Sequence, residues 1–457
     1  MLISNFHQSI LCLSVLILLA IVGFIFFKQK KFPQTLIIIL IATAFLKCYC
    51  ASDQYLHEWD ERYHALVAKN LIQHPLKPTL YDSPVEPYDH KNWVGNHIWL
   101  SKPPIPLWFM ATSIHIFGTH EYAVRLPGII FSILSVLLTY RIALSLFSPR
   151  TAVIAAALHG VHGMLTDLAS GRLSSDGVET CFLFFVSFGM FLIFKKNQGT
   201  FKPINYAIVG FVTGISFMCK WQPALLILVI MFVYHFDKMN WQKHILYSSF
   251  SFVITVLTCL PWAMYCFTQF PTEANWMSAA MFHPMHIIIP GNDGTWYSYI
   301  TDFGKFFGYS TFILMGIAFA TSVNTRNRIA LTLFIWIALP LFIFSLAEIK
   351  RGTYLMIAAP AVFLLVAHFL TEVNILNRYK KATRILAVIS VLSIIVYSIE
   401  KLYLFSNNKS RTRDWSIRIK ELNPAKGTVI YNEPHCIEMM FYHDVTAYEF
   451  PKKTSSE

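Results

Sequence analysis

The stretch HEWDERYHALVAKN, His57 to Asn70, gathers Glu58, Asp60 and Glu61 beside Arg62 and His64, in a chain where only 14% of residues are charged. A carboxylate at a water-poor surface has its pKa raised by desolvation and becomes a usable general base. Asp60 is the candidate for that work. Asp60 and Glu61 also suit the first turn of a helix, where the dipole favours acids, and that plain structural role is the alternative. In such a helix His64 stands one turn after Asp60 on the same face, within hydrogen-bonding reach of it. Glu61 then points roughly 100° away, since a turn takes 3.6 residues, and either holds the helix or contacts substrate.

Further charges sit in short polar stretches between apolar runs. In WLSKPPIPLW, Lys102 precedes two prolines and is held extended. It either snorkels to lipid headgroups or binds a phosphate as a point charge. In EYAVRLPG, Arg125 stands just before an apolar run and reads as an interface anchor. In SGRLSSDGVET, Asp176 starts the next run, where a helix N-cap is its default role. Glu348, Lys350 and Arg351 in AEIKRGTY, and Lys220 in FMCKWQP, complete the set. The pattern HPMH, His283 to His286, has metal-like spacing, but a zinc site usually needs three or four ligands. No cofactor is assigned, and a divalent metal stays an alternative resting on those two histidines.

These residues must be positioned by a very apolar chain. Of its 457 residues 55% are hydrophobic and 16% aromatic, and the mean hydropathy is +0.50. Soluble chains carry about 25% charged residues, so the expectation is an all-α polytopic membrane protein. Runs of about 17–25 apolar residues fall near 8–27, 34–50, 126–147, 151–168, 178–194, 204–219, 222–237, 245–266, 306–322, 329–346, 353–372 and 385–404, about twelve transmembrane helices. Alternate loops at 28–31, 148–150, 195–202, 237–243, 324–328 and 377–381 are short and basic, with Asp237 their only acid. By the positive-inside rule these are cytoplasmic. The acidic set, including 51–105 and the tail, then faces outward, to the periplasm in a bacterium. Cations at 220, 350 and 351 run against that rule, and an anionic headgroup would explain them.

The expected domains are a membrane body, 1–404, with a large outer loop, 51–125, and a small outer segment, 405–457. That segment has helices near 415–422 and 435–442 and strands at 427–431 and 445–450. Ile105 to Phe117 is apolar but short, and is expected at the membrane interface. The N-terminal run reads as a retained helix, since no small-residue cleavage site follows it. The eight cysteines read as small buried hydrophobes, not a disulfide framework. The net charge of +12 is accounted for by basic inner loops, with no nucleic-acid-binding motif.

Taken in order, WDERYHALVAKN, SKPPIPLWFMATSIHIFGTHEYAVRLPG, the Asp176 turn, GFVTGISFMCKWQP and FSLAEIKRGTYLMIAAP resemble the bacterial branch of the protein O-mannosyltransferase-like family, which includes lipid A aminoarabinose transferase-like proteins. The resemblance covers roughly residues 50–370. It implies a type C glycosyltransferase fold and transfer of a sugar from a polyprenyl-phosphate carrier to a glycolipid, such as lipid A, or a protein, on the outer face of the inner membrane. It maps the catalytic acid onto Asp60, the second aspartate onto Asp176 and the carrier-phosphate lysine onto Lys102. The late Lys–Tyr pattern falls on Lys350, Arg351 and Tyr354. Glu61, His64 and Lys220 are substrate-binding candidates beside them. Ser101 stands where the aminoarabinose branch has a zinc-holding glutamate, the arginine expected before WYSY (296–299) is absent between Glu273 and Trp296, and the first span is extra. The rival class is a transporter or flippase of lipid-linked sugars without transferase activity. It predicts ionisable residues at mid-membrane and a repeat relating the two halves, and the sequence shows few of the former and no counterpart of the large loop.

Overall fold

The computed structural model describes residues 2–92, 95–173, 176–195, 201–236, 238–280, 294–371, 380–406 and 412–449, with side chains from residue 10 onward. The protein is mostly helical. Among the described residues, eight helices are long and apolar enough to cross a membrane, or ten if each of two bent pairs counts as one span. About twelve were expected, and a helix stands at every expected place, though not every one has the length or hydropathy of a full span. Pro203–Lys220 includes Asn205 and a terminal lysine. Its neighbour is a 3-10 turn of 4 residues followed by an α-helix of 10, too short to span. The expected span at 151–168 breaks at His162, bending 56° between Pro149–Val161 and Gly163–Ala169. The pair Ser298–Phe307 and Ser310–Thr325 bends 98° at Gly308, whose φ of +85° suits a residue without a Cβ.

Burial sorts these helices. Trp241–Gln269 has only 17% of its most apolar window buried, and Phe250, Val256 and Leu257 on it are exposed. So much exposed hydrocarbon is stable only against lipid. Gly352–Thr371 is 83% buried and forms the centre of the bundle, with Trp336, Phe307 and Phe182 in the same core.

A second core holds the segment between the second and third spans. Tyr63, Leu66 and Leu71 of the helix Asp60–Gln73 pack with Trp99, with Leu107 and Ile114 of Pro104–Phe117, and with Val124 and Val178. Pro104–Phe117 therefore buries one face in protein instead of simply lying on a membrane surface. The tail completes this core with Ile419, Ile437 and Phe441. Its elements are Asp414–Glu421, strand Val429–Ile430, Cys436–Tyr442 and strand Thr446–Ala447, and the two strands pair in parallel. Polar contacts lock it on: Arg62 to Glu438 at 3.2 Å, Lys69 to the Met440 carbonyl at 2.9 Å, and Lys420 to Glu121 at 2.5 Å.

Two glycines set a close crossing below this layer. A Cβ added at Gly128, in Glu121–Leu146, would lie 3.0 Å from the Gly177 Cα at the start of Gly177–Phe194. Small residues let membrane helices approach closely. This crossing ties the RLPG and SDG motifs together.

Candidate active site

Asp60 is the first residue of its helix, and Lys102 lies at the extended approach to Pro104–Phe117, with Pro103 at φ −63° and ψ 158°. The Lys102 ammonium sits 3.5 Å from an Asp60 carboxylate oxygen, and both side chains are largely buried. Arg351, just before Gly352–Thr371, and Tyr354, in its first turn, add to the electrostatics here: Arg351 bears on both Asp60 and Lys102, and Tyr354 on Lys102. Burial works to raise the Asp60 carboxyl, but Lys102, His64 and Arg351 outweigh it and hold the group below the ordinary carboxylate range. Burial likewise opposes the Lys102 charge, and Asp60 more than offsets it, leaving the ammonium above its usual value.

Lys220 reaches the same place. It pairs closely with Glu179 and lies 4.3 Å from the centre of the Tyr354 ring. Glu179 was not singled out in the sequence. Its signal was an acid in the first turn of an apolar span, which needs a partner in hydrocarbon.

His64 and Asp176 meet as well. The His64 Nδ1 lies 2.9 Å from both Asp176 carboxylate oxygens, and both residues are buried. Asp176 also caps its helix, accepting from the Val178 N–H at 3.0 Å, so it fills the bland role and a second one. The expected hydrogen bond from His64 to Asp60 is replaced by this pairing.

Three sequence readings are corrected by the geometry. Glu61 is fully buried and has no oxygen left for a substrate. One oxygen accepts from Arg125 Nε at 2.7 Å; the other accepts from Arg125 Nη2 at 3.0 Å and the His57 N–H at 2.6 Å, and meets His57 Nδ1 at 2.8 Å. Arg125 is therefore no interface anchor. It is buried and also donates to the carbonyls of Ala51, Asp53 and Tyr55 at 2.9, 2.6 and 2.6 Å. Lys350 is parted from Arg351. Its ammonium is taken by the carbonyls of Ser345 and Ala347 at the end of Arg328–Ser345, because successive side chains in an extended backbone point to opposite sides. His283 and His286 lie outside the described residues, and among the described residues no cluster of three or more His, Cys, Asp or Glu could hold a metal.

Two further features are found in the group. His64 Nε2, Ser101 Oγ, Arg351 Nε and Thr353 Oγ1 are buried without a hydrogen-bond partner among the described residues. Such orphans cost about 1–3 kcal/mol each and call for an explanation in a native fold. Trp59 (φ 69°, ψ −126°) and Trp221 (φ 48°, ψ −137°) adopt positive φ directly beside Asp60 and Lys220. Strain of this kind, roughly 1–3 kcal/mol per residue, collects at ligand sites.

Residues 101–265 match the family described as dolichyl-phosphate-mannose-protein mannosyltransferase. An undecaprenyl phosphate-alpha-4-amino-4-deoxy-L-arabinose arabinosyl transferase of Pseudomonas paraeruginosa is 24% identical over 295 residues, 62% of this chain and 52% of that protein. A putative mannosyltransferase of Bacillus subtilis is 26% identical over 244 residues, 52% of this chain and 32% of that protein. The chain thus spans about half the length, or less, of these curated relatives. In fold it is similar to ArnT from Cupriavidus metallidurans bound to undecaprenyl phosphate, with a TM-score of 0.60 at 16% identity, covering 90% of this chain and 85% of that one. The archaeal oligosaccharyltransferase AglB from Archaeoglobus fulgidus follows with a TM-score of 0.57 at 13% identity, covering 92% of this chain and 65% of that one. The middle third of the chain is thus similar in sequence to the dolichyl-phosphate-mannose-protein mannosyltransferase family, and the chain as a whole shares its fold with these two transferases.

Proposed function

We propose that the protein is a membrane glycosyltransferase. It takes a sugar from a polyprenyl-phosphate carrier and places it on a glycolipid or protein at the periplasmic face of a bacterial inner membrane. The observation that carries this reading is the Asp60–Lys102 pair at 3.5 Å, with Arg351 acting on both. A sugar phosphodiester already holds a good leaving group. Lys102 and Arg351 stabilise the departing phosphate, in the way fixed cations favour developing negative charge. Asp60 takes the acceptor's proton, Asp176 and His64 support it from behind, and Tyr354 and Lys220 line the same place. Residues 1–404 then form the transferase body and 405–457 an outer appendage, of which the described residues 412–449 pack over the Asp60 helix.

The deciding experiment compares the masses of envelope glycolipids and glycoproteins with and without the gene. A gene-dependent sugar mass on either class is expected; its absence, with lipid-linked sugar redistributed across the membrane instead, would favour the transporter.

Two further results are expected. Lys102→Ala lowers affinity for undecaprenyl phosphate tenfold or more, because a charge-assisted hydrogen bond contributes about 1.5–3 kcal/mol; unchanged binding would remove Lys102 from the headgroup. Single cysteines at Ser83 and Lys202, both exposed positions, report sidedness in a background lacking the exposed Cys48. An impermeant maleimide on spheroplasts should label position 83 and spare 202. The reverse pattern would put the candidate site in the cytoplasm and sink the reading.

A further inference from the structure

The arrangement of His64 has a chemical consequence beyond that of the Asp60–Lys102 pair. Its Nδ1 faces both oxygens of the Asp176 carboxylate at 2.9 Å. An ionised carboxylate only accepts, so Nδ1 carries the hydrogen and donates it. The lone pair is thereby fixed on Nε2. That atom is buried and has no hydrogen-bond partner among the described residues. Asp176 is itself anchored by the Val178 N–H at 3.0 Å, and the indole of Trp99 packs edge-on against the imidazole with centroids 5.5 Å apart. The ring is therefore oriented from two sides with one basic atom free.

His64 stands one turn after Asp60 on the same helix. Asp60 Oδ2 is the oxygen ion-paired with the Lys102 ammonium at 3.5 Å. A carboxylate facing Lys102 and Arg351 is well placed to receive a proton in passing but poorly placed to keep it, since both cations favour its ionised form. An imidazole backed by a carboxylate can receive such a proton, because the imidazolium that forms is paired at once with that carboxylate.

We propose that His64, oriented by Asp176, is the proton store of this site: it takes over, through Nε2, the proton that Asp60 removes from a hydroxyl acceptor. The inference rests on reading the cluster as a sugar-transfer site. In the step, the acceptor oxygen bonds to the anomeric carbon as its proton moves to Asp60. The bond from that carbon to the phosphate oxygen breaks, and its electron pair leaves with the polyprenyl phosphate. The proton then passes to His64 Nε2, giving an imidazolium ion-paired with Asp176, and is released to water after the product departs. Asp60 is thus restored as a carboxylate for the next turnover. A store of this kind has work to do only when the nucleophile arrives protonated, so the acceptor class is a neutral hydroxyl and not an ionised phosphate.

The test separates a proton store from a strut. His64→Asn keeps an N–H to offer Asp176 but cannot hold a proton. The readout is the gene-dependent sugar mass formed in the host per unit of membrane-inserted protein, with undecaprenyl phosphate binding to the purified full chain measured alongside. Product formation by His64→Asn is expected to fall about 10²-fold, near the lower end of general acid–base contributions, with binding unchanged. His64→Ala should fall as far and recover in part when imidazole is added to the medium, and the product sugar should survive mild acid, as a glycoside does and a glycosyl phosphate does not. Normal product from His64→Asn makes His64 a strut and overturns the proposal, as would an acid-labile product. If that happens while Asp60→Asn is dead, the transfer site stands and only the proton store falls. If the gene confers no sugar at all, both fall together.

Discussion

Asp60→Asn is expected to insert, to bind undecaprenyl phosphate at least as well as the native protein, and to transfer sugar about 10²–10⁴-fold more slowly, the usual loss when a general base is removed. The amide keeps the shape and can still hydrogen-bond. It removes the negative charge that now lies 3.5 Å from Lys102. That charge repels a carrier phosphate, and its loss leaves Lys102 wholly available, so carrier affinity holds or rises while the chemistry stops. A misfolded variant would lose both. The measurement pairs undecaprenyl phosphate binding with the gene-dependent sugar product. Near-native turnover by Asp60→Asn would exclude Asp60 as base and shift that role to the His64–Asp176 pair.

Glu61→Gln is expected to damage the fold, not the chemistry. Breaking a buried ion pair by removing one partner typically costs about 3–5 kcal/mol, because the other charge is left uncompensated. Here that charge is Arg125, 2% exposed. It also fixes the carbonyls of Ala51, Asp53 and Tyr55, so the whole entry into the Asp60 helix depends on it. A lower unfolding temperature in detergent and less protein in the membrane should result, with the surviving folded fraction still binding carrier. Burial alone would raise the Glu61 carboxyl, but Arg125 and His57 bring it down to about 2. A depressed folded value means that this stabilisation is present above the ordinary glutamate range and is lost as pH falls toward 2. The native protein should therefore show acid destabilisation over that window which Glu61→Gln lacks. Native stability in the variant, with lost carrier binding instead, would return Glu61 to the substrate.

Much of this was legible along the chain. Apolar runs of span length, basic loops and proline before the helix at 104 are local features, and local sterics and hydration turn them directly into helices and their ends. Helices duly stand at all twelve expected places. Counting spans was less secure, because a helix of 14 residues between protein neighbours and one crossing lipid can share the same composition. The residues able to do chemistry were legible too, since charges are few and each needs a reason.

What the chain alone left open was which charge meets which. Asp60 and Glu61 are adjacent and chemically alike, yet one pairs with Lys102 and the other is consumed by Arg125, 64 residues away. Lys350 and Arg351 are also adjacent, and only Arg351 bears on Asp60. His64 joins Asp176 across 112 residues, where helical periodicity had pointed to Asp60. Such pairings depend on the Gly128–Gly177 crossing and on the tail packed over the Asp60 helix. The sequence by itself determined the helices and the supply of charges; the tertiary structure decided their partners, because electrostatic energy depends on distance and burial in three dimensions and not on separation along the chain.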